Sequence, residues 1–283
     1  MASLDAAVWF GVSLVTLLGD PLVIAGLGFG LYWFGGWVPV IGDRLDEPRV
    51  ELAFATIAGA LALSAALKTG FALERPPGAA ALPGTAGMPD IVVPIYTWIV
   101  GPGGHAFPSG HATAATVGWL GLAWAYRGKN RDRALVLAGG LVVAIATSRV
   151  VLGVHRPHEV LAGIGVGLAY LLVTFGLLRR PRRTFALAGL FGVAGPIVVG
   201  LTGDSLLVAG VALGMTVGWE FARERDRPAV TLPVLATVLG AVVLAGATFV
   251  RSGTFETGVA LLGVGGGATI VAGQRVIRRV KNE

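Results

Sequence analysis

The stretch from Ser148 to Glu159 reads Ser-Arg-Val-Val-Leu-Gly-Val-His-Arg-Pro-His-Glu and carries two of the four histidines in the chain. His155 is followed four residues later by Glu159 and preceded six residues earlier by Arg149. Such a set can supply a nucleophile, the partner that orients it and an anion clamp. A carboxylate bonded to one imidazole nitrogen fixes the tautomer and stabilises the cation formed when the other nitrogen attacks. Arg149 is suited to neutralise phosphate oxygens as charge shifts in a transition state. Pro157 fits the first position of a helix and Glu159 falls in its first turn, so a polar loop entering an ordinary helix explains the stretch about as well when it is taken alone.

Two further polar islands change that balance. In Lys68-Thr-Gly-Phe-Ala-Leu-Glu-Arg75-Pro76 the two cations stand seven residues apart, about two helical turns, so both can project from one face at the end of a span. Two cations there suit a phosphate, with the guanidinium able to bind it bidentately; snorkelling at a membrane interface is the simpler alternative. In Gly101-Pro-Gly-Gly-His-Ala-Phe-Pro108-Ser109-Gly110-His111 the serine and glycine sit where a helix begins. Backbone N–H groups, a hydroxyl and the positive end of a helix dipole make an anion site there. His111, in the first turn, can reach the same anion as a general acid. His105 reads as a solvated loop residue, and Arg156 and His158 as rim residues. All four histidines lie in or beside the three islands, a distribution that packing alone does not explain.

The elements that must position these islands are membrane helices. The chain of 283 residues is 54% hydrophobic and only 13% charged, with a mean hydropathy of +0.76. A soluble protein carries about 25% charged residues, so the composition points to a polytopic, all-α transmembrane helix bundle. Its 44 glycines suit close helix contact in lipid. The net charge of +6 is gathered in short basic loops rather than interleaved with aromatics, which argues against nucleic acid as a partner. Without cysteine, thiol chemistry and Cys-ligated zinc are excluded. The residues from Met1 to Asp5 lack the basic start of a secretory leader and are expected to stay in place.

Ten apolar segments are expected. The first, about Ala6 to Gly19, is short and ends at Asp20-Pro21, a natural turn. The next five are Pro21 to Ile41, Val50 to Leu67, His111 to Tyr126, Ala134 to Thr147 and Glu159 to Leu178. Four more follow, near Phe185 to Leu201, Ser205 to Phe221, Val230 to Val250 and Gly258 to Ala272. The basic connections at 127–133, 179–183, 222–227 and 275–281, with 42–49, then fall on one side, expected to be cytoplasmic, and the three islands fall outside. Ile91 to Val100 is apolar, too short to span and broken by Pro94, and reads as an interfacial segment near the site.

Taken together, Lys68-x6-Arg75-Pro76, Pro108-Ser109-Gly110-His111 and Ser148-Arg149-x5-His155-x3-Glu159 resemble the three signature motifs of the type-2 phosphatidic acid phosphatase family in order, spacing and shared membrane face. The resemblance implies a six-helix phosphatase core over residues 1–180, with 181–283 as a helical extension of about four segments. It implies that His155 attacks phosphorus to form a phosphohistidine, oriented by Glu159, and that His111 protonates the leaving oxygen. Lys68, Arg75, Arg149, Ser109 and Gly110 would hold the phosphate, with no metal and no cofactor. The family usually has Asp where this chain has Glu159, a change of one methylene; Glu74 and Asp90 are the alternative carboxylates.

The expected activity is hydrolysis of a lipid phosphate or diphosphate at the outer face of the plasma membrane. Transfer of the phosphoryl group to another acceptor, or lipid-phosphate binding without turnover, are the alternatives. The C-terminal segments carry no ionisable residue at their middles, which argues against an ion path. A scaffold, a homo-oligomer surface and a lipid-docking wall remain equal readings for them.

Overall fold

In a computed structural model the described residues, which are 6–35, 43–101, 103–199, 203–223 and 263–273, form an all-α structure of helices and their connections. The predicted span Val230 to Val250 and the basic stretch at 275–281 lie outside them. Helices α1 (Ala6–Leu17) and α2 (Pro21–Phe34) are followed by α3 (Glu47–Phe71), the short α4 (Val93–Val100) and α5. Helix α5 runs Gly110–Ala115, widens to a π-helical stretch at Thr116–Leu120 and resumes at Gly121–Ala125. After it come α6 (Arg131–Val151), α7 (Pro157–Leu178), α8 (Pro181–Val199), α9 (Gly203–Arg223) and α10 (Gly263–Gly273).

Three of these, α3, α6 and α7, are long and apolar enough to cross a membrane, and α1 with α2 passes as a bent pair. Its two helices are bent by 48° at the break, and Asp20 accepts from the N–H groups of Leu22 and Val23 to cap the second helix. The residue pair read as a turn is thus a bend at which a capped helix restarts. Helix α3 exceeds its predicted length at both ends. Asp46 caps it, Pro48 suits its first turn, and it continues past Lys68 to a left-handed Ala72.

The connections gather by charge. At one end Leu45 pairs with Tyr126, the Arg127 N–H donates to the Arg44 carbonyl, and Asp46 binds Arg49 and Arg127. The guanidiniums of Arg49 and Arg131 lie 4.4 and 5.0 Å from the Trp124 ring. At the opposite end are the three polar islands. The expected segregation of the basic loops from the islands therefore holds among the described residues.

Close backbone contact sets α5 against α7. A Cβ at Gly163 would stand 2.6 Å from the Ser109 carbonyl oxygen, so this crossing exists only because the position has no side chain. Thr113 bridges the same gap, its hydroxyl within 3.1 Å of the Ser109 and Gly163 carbonyls. Beneath the site, Ile24, Ile57, Val117 and Tyr170 form one buried cluster. Further from it, Tyr32 and Phe54 stack at 4.8 Å and pack with Phe185, Trp219 and Val271, so the helices after residue 181 share a core with α2 and α3. Above the site, Trp9 and Phe10 of α1 pack with Tyr96, Val100, Leu152 and Val154. Helix α4 thus buries Tyr96 and leaves Ile95 and Trp98 exposed, with Ile91 exposed just before it.

Candidate active site

Each island reaches the site from a helix end. Lys68 leaves the last turn of α3, Ser109 and Gly110 open α5, Arg149 leaves the last turn of α6, and Glu159 sits in the first turn of α7. His155 lies on the tight connection between the last two, where its N–H and that of Val154 both donate to the Arg149 carbonyl at 3.2 Å. Arginine and histidine are therefore pinned to one another through the backbone before either side chain acts.

The His155 imidazole is buried, 3% exposed, and both its nitrogens are engaged. Nδ1 stands 2.9 Å from Glu159 Oε2, and Nε2 stands 3.3 Å from Arg75 Nη1. A carboxylate requires a proton on Nδ1, and a guanidinium N–H requires a lone pair on Nε2; one neutral tautomer satisfies both. Burial and then the Arg149 charge push the imidazole below its ordinary value of 6.5, against the opposing hydrogen bond from Glu159. Nε2 is thus an unprotonated nitrogen whose lone pair faces Arg75.

Glu159 is fully buried and multiply held. Its Oε2 also accepts from the Arg156 N–H at 3.0 Å, and its Oε1 from Arg156 Nη1 at 3.0 Å. The same carboxylate therefore closes a capping box at the start of α7 and orients His155. The extra methylene relative to aspartate does not leave it misplaced, and neither Glu74 nor Asp90 substitutes for it. Glu74 contributes its backbone carbonyl instead, to Arg156 Nη1. Arg156, expected only at the rim, is a support of the carboxylate.

Arg75 spans the mouth. It donates to the carbonyls of Gly103, Gly104 and Val154 at 2.6, 3.0 and 3.0 Å as well as facing His155. Lys68 donates to the His105 carbonyl at 2.8 Å, and a Cβ on Gly110 would touch its Cε at 3.1 Å. His105 thus serves the site through its backbone. Ser109 is buried, receives the Glu159 carbonyl on its own N–H at 3.0 Å, and caps α5 through its hydroxyl. Arg149 is 1% exposed and donates from Nη1 to Thr16 Oγ1 at 3.3 Å. His111 Nε2 is buried without a hydrogen-bond partner, 3.6 Å from Asp20 Oδ2.

All eight residues singled out from the motifs therefore converge at one end of the bundle. Three contributors were not legible in the motifs: Thr16, Asp20 and the buried, unpartnered hydroxyl of Ser64, one turn before Lys68 on α3. A serine four residues before a motif lysine was the only local signal, and it reads equally as a small packing residue.

The described helices form an all-α bundle with candidate membrane spans, in which a histidine–carboxylate pair faces three cations and a helix N-terminus. The family model of the PAP2 superfamily matches residues 50–183, and over that region the chain is similar to this superfamily. No curated protein and no solved structure matches it significantly. The match supports an activity of the phosphatase type, hence a hydrolase, in agreement with the motifs.

Proposed function

We propose that this protein hydrolyses a lipid-linked phosphate or diphosphate at the extracytoplasmic face of the membrane through a phosphohistidine. The observation that carries this reading is the orientation of His155, with Nδ1 on Glu159 and the unprotonated Nε2 facing Arg75, which a phosphoryl group would displace from it. In the first step that lone pair forms a bond to phosphorus while the bond from phosphorus to the leaving oxygen breaks, and His111 gives that oxygen its proton. Glu159 stabilises the cationic ring that results. Water then attacks phosphorus, His111 takes its proton, the P–N bond breaks, and inorganic phosphate leaves. Lys68, Arg75, Arg149, the Ser109 hydroxyl and the Gly110 N–H balance the charge on the phosphoryl oxygens.

A lipid substrate is supported by what borders the cations. Leu67 and Phe71, flanking Lys68, line an apolar crevice of ≈ 350 Å³ with Phe191 and Ala194 of α8. Phe71 packs edge-on against Phe107 at 5.0 Å, on the loop that leads to Ser109. The exposed Ile95 and Trp98 of α4 border the same end of the bundle. Apolar surface on the helix that carries Lys68 favours an amphiphile over a soluble sugar phosphate.

The test is phosphate release in detergent from phosphatidate, phosphatidylglycerol phosphate and a polyprenyl diphosphate, with wild type beside His155→Ala and with and without chelator. Release that resists chelator and vanishes in the variant supports the reading. Equal release by both proteins, or none by either, would sink it. Adding alcohol acceptors and analysing products separates hydrolysis from transfer.

A further inference from the structure

The break between α1 and α2 lies outside the family match, yet it is fastened to the site at four points. Trp119 Nε1 donates to the Leu18 carbonyl at 2.9 Å. Gly19 lies so close to α5 that a Cβ there would stand 3.3 Å from the His111 carbonyl oxygen and collide with Ile145. Thr16 receives Arg149, and the Asp20 carboxylate faces His111 Nε2 at 3.6 Å. Asp20 divides its two oxygens: Oδ1 caps α2, and Oδ2 is turned to the imidazole.

The charges around His111 make that arrangement consequential. Burial and then the charges of Arg149 of α6, His155, Lys68 of α3 and Arg75 act on it, and Asp20 acts on Arg149 as well. Glu159 is committed to His155 and Arg156. Among the described residues, Asp20 is the carboxylate paired with His111. A proton donor surrounded by three fixed cations loses its proton to water unless a negative charge stands beside it.

Resting on the proposed role of His111 as proton donor, we propose that Asp20 is its positioning residue, holding the imidazolium form and the ring direction needed to protonate the leaving oxygen. The bend between α1 and α2 would then be a part of the catalytic apparatus rather than a peripheral connection. The distance is that of an ion pair, not of a hydrogen bond, so the effect is electrostatic and belongs to the charge of Asp20.

Two measurements decide this. Asp20→Asn keeps an N-cap residue of nearly equal quality and removes only the charge. In ¹⁵N-histidine NMR of the detergent-solubilised protein, with His111 assigned by His111→Gln, Asp20→Asn should lower the His111 titration midpoint by about one pH unit. The readout needs no turnover, so it stands even if the phosphatase reading fails. An unchanged midpoint overturns the proposal. In kinetics, wild type, Asp20→Asn and Asp20→Glu are compared on dodecyl phosphate, whose alkoxide must be protonated, and on 4-nitrophenyl phosphate, whose phenolate need not be. Asp20→Asn should lose about 10- to 100-fold on the first substrate and little on the second, with its alkaline limb moved to lower pH and partly restored in Asp20→Glu. Equal losses on both substrates with an unmoved limb would reduce Asp20 to a helix cap. Wild type inactive on both substrates would count against the phosphatase reading alone, and the titration would still decide on Asp20.

Discussion

Glu159 Oε2 lies 2.9 Å from His155 Nδ1 while the same oxygen accepts from the Arg156 N–H at 3.0 Å. One atom thereby ties the proposed nucleophile to the first turn of α7. The arrangement seats a glutamate where the resembled family usually has the shorter aspartate, because i and i+4 positions across a helix start bring the two side chains together at the longer reach. Glu159→Gln should keep the capping box, since glutamine serves there equally, and should lower kcat by about 10²- to 10⁴-fold. Glu159→Asp must give up either His155 or Arg156 and should fall between. Steady-state kinetics on a lipid phosphate, with a thermal melt as folding control, checks both; a Glu159→Gln variant as active as wild type would remove Glu159 from the mechanism.

Arg75 presents one guanidinium to three carbonyls and to His155. A lysine has the charge but not the planar fork. Losing one charge-assisted hydrogen bond of about 1.5–3 kcal/mol predicts a drop of about 10- to 100-fold in kcat/KM for Arg75→Lys. A value within two-fold of wild type would mean that charge alone suffices there.

The pH dependence follows from the direction of the His155 shift. Burial and Arg149 hold the folded imidazole below 6.5, so the nucleophile stays neutral through pH 6.5 and the acid limb of kcat/KM should lie below that value. The unfolded chain binds this proton below pH 6.5 and the folded chain does not. The contribution of His155 to stability is therefore complete above pH 6.5 and declines as the pH falls toward the folded value. Melting temperatures between pH 7.5 and 5 should drop less steeply in His155→Ala than in wild type; parallel curves would contradict the shift.

Gly163 supports the site from behind. Gly163→Ala sets a methyl 2.6 Å from the Ser109 carbonyl oxygen and 3.0 Å from the Ala112 Cβ, and the helix backbone on both sides cannot swing away as a side chain could. Overpacking of this kind costs about 1–3 kcal/mol. The variant should melt lower and also lose activity, because the displaced atoms open α5. Wild-type melting and turnover together would show that the crossing is looser than its geometry.

The polar islands, the spans that carry them and the segregation of basic loops were all legible in the sequence. Each depends on short-range pattern: apolar runs of spanning length, the helix-opening Pro157, and cations clustered in connections. The pairing of His155 with Glu159 belongs to the same kind, since four residues across a helix start bring side chains together whatever surrounds them. Thr16 and Asp20 were not legible. They meet Arg149 and His111 across 133 and 91 positions, and Asp20 before Pro21 reads locally as a turn. Which helix lies beside which is decided by the fit of whole faces, here by Gly19 against α5 and Gly163 against Ser109. The sharing of Tyr32 and Phe54 with Phe185, Trp219 and Val271 was decided in the same way. Local periodicity says which face of a helix is apolar. It does not say which apolar face of another helix will cover it, and only the assembled bundle answers that.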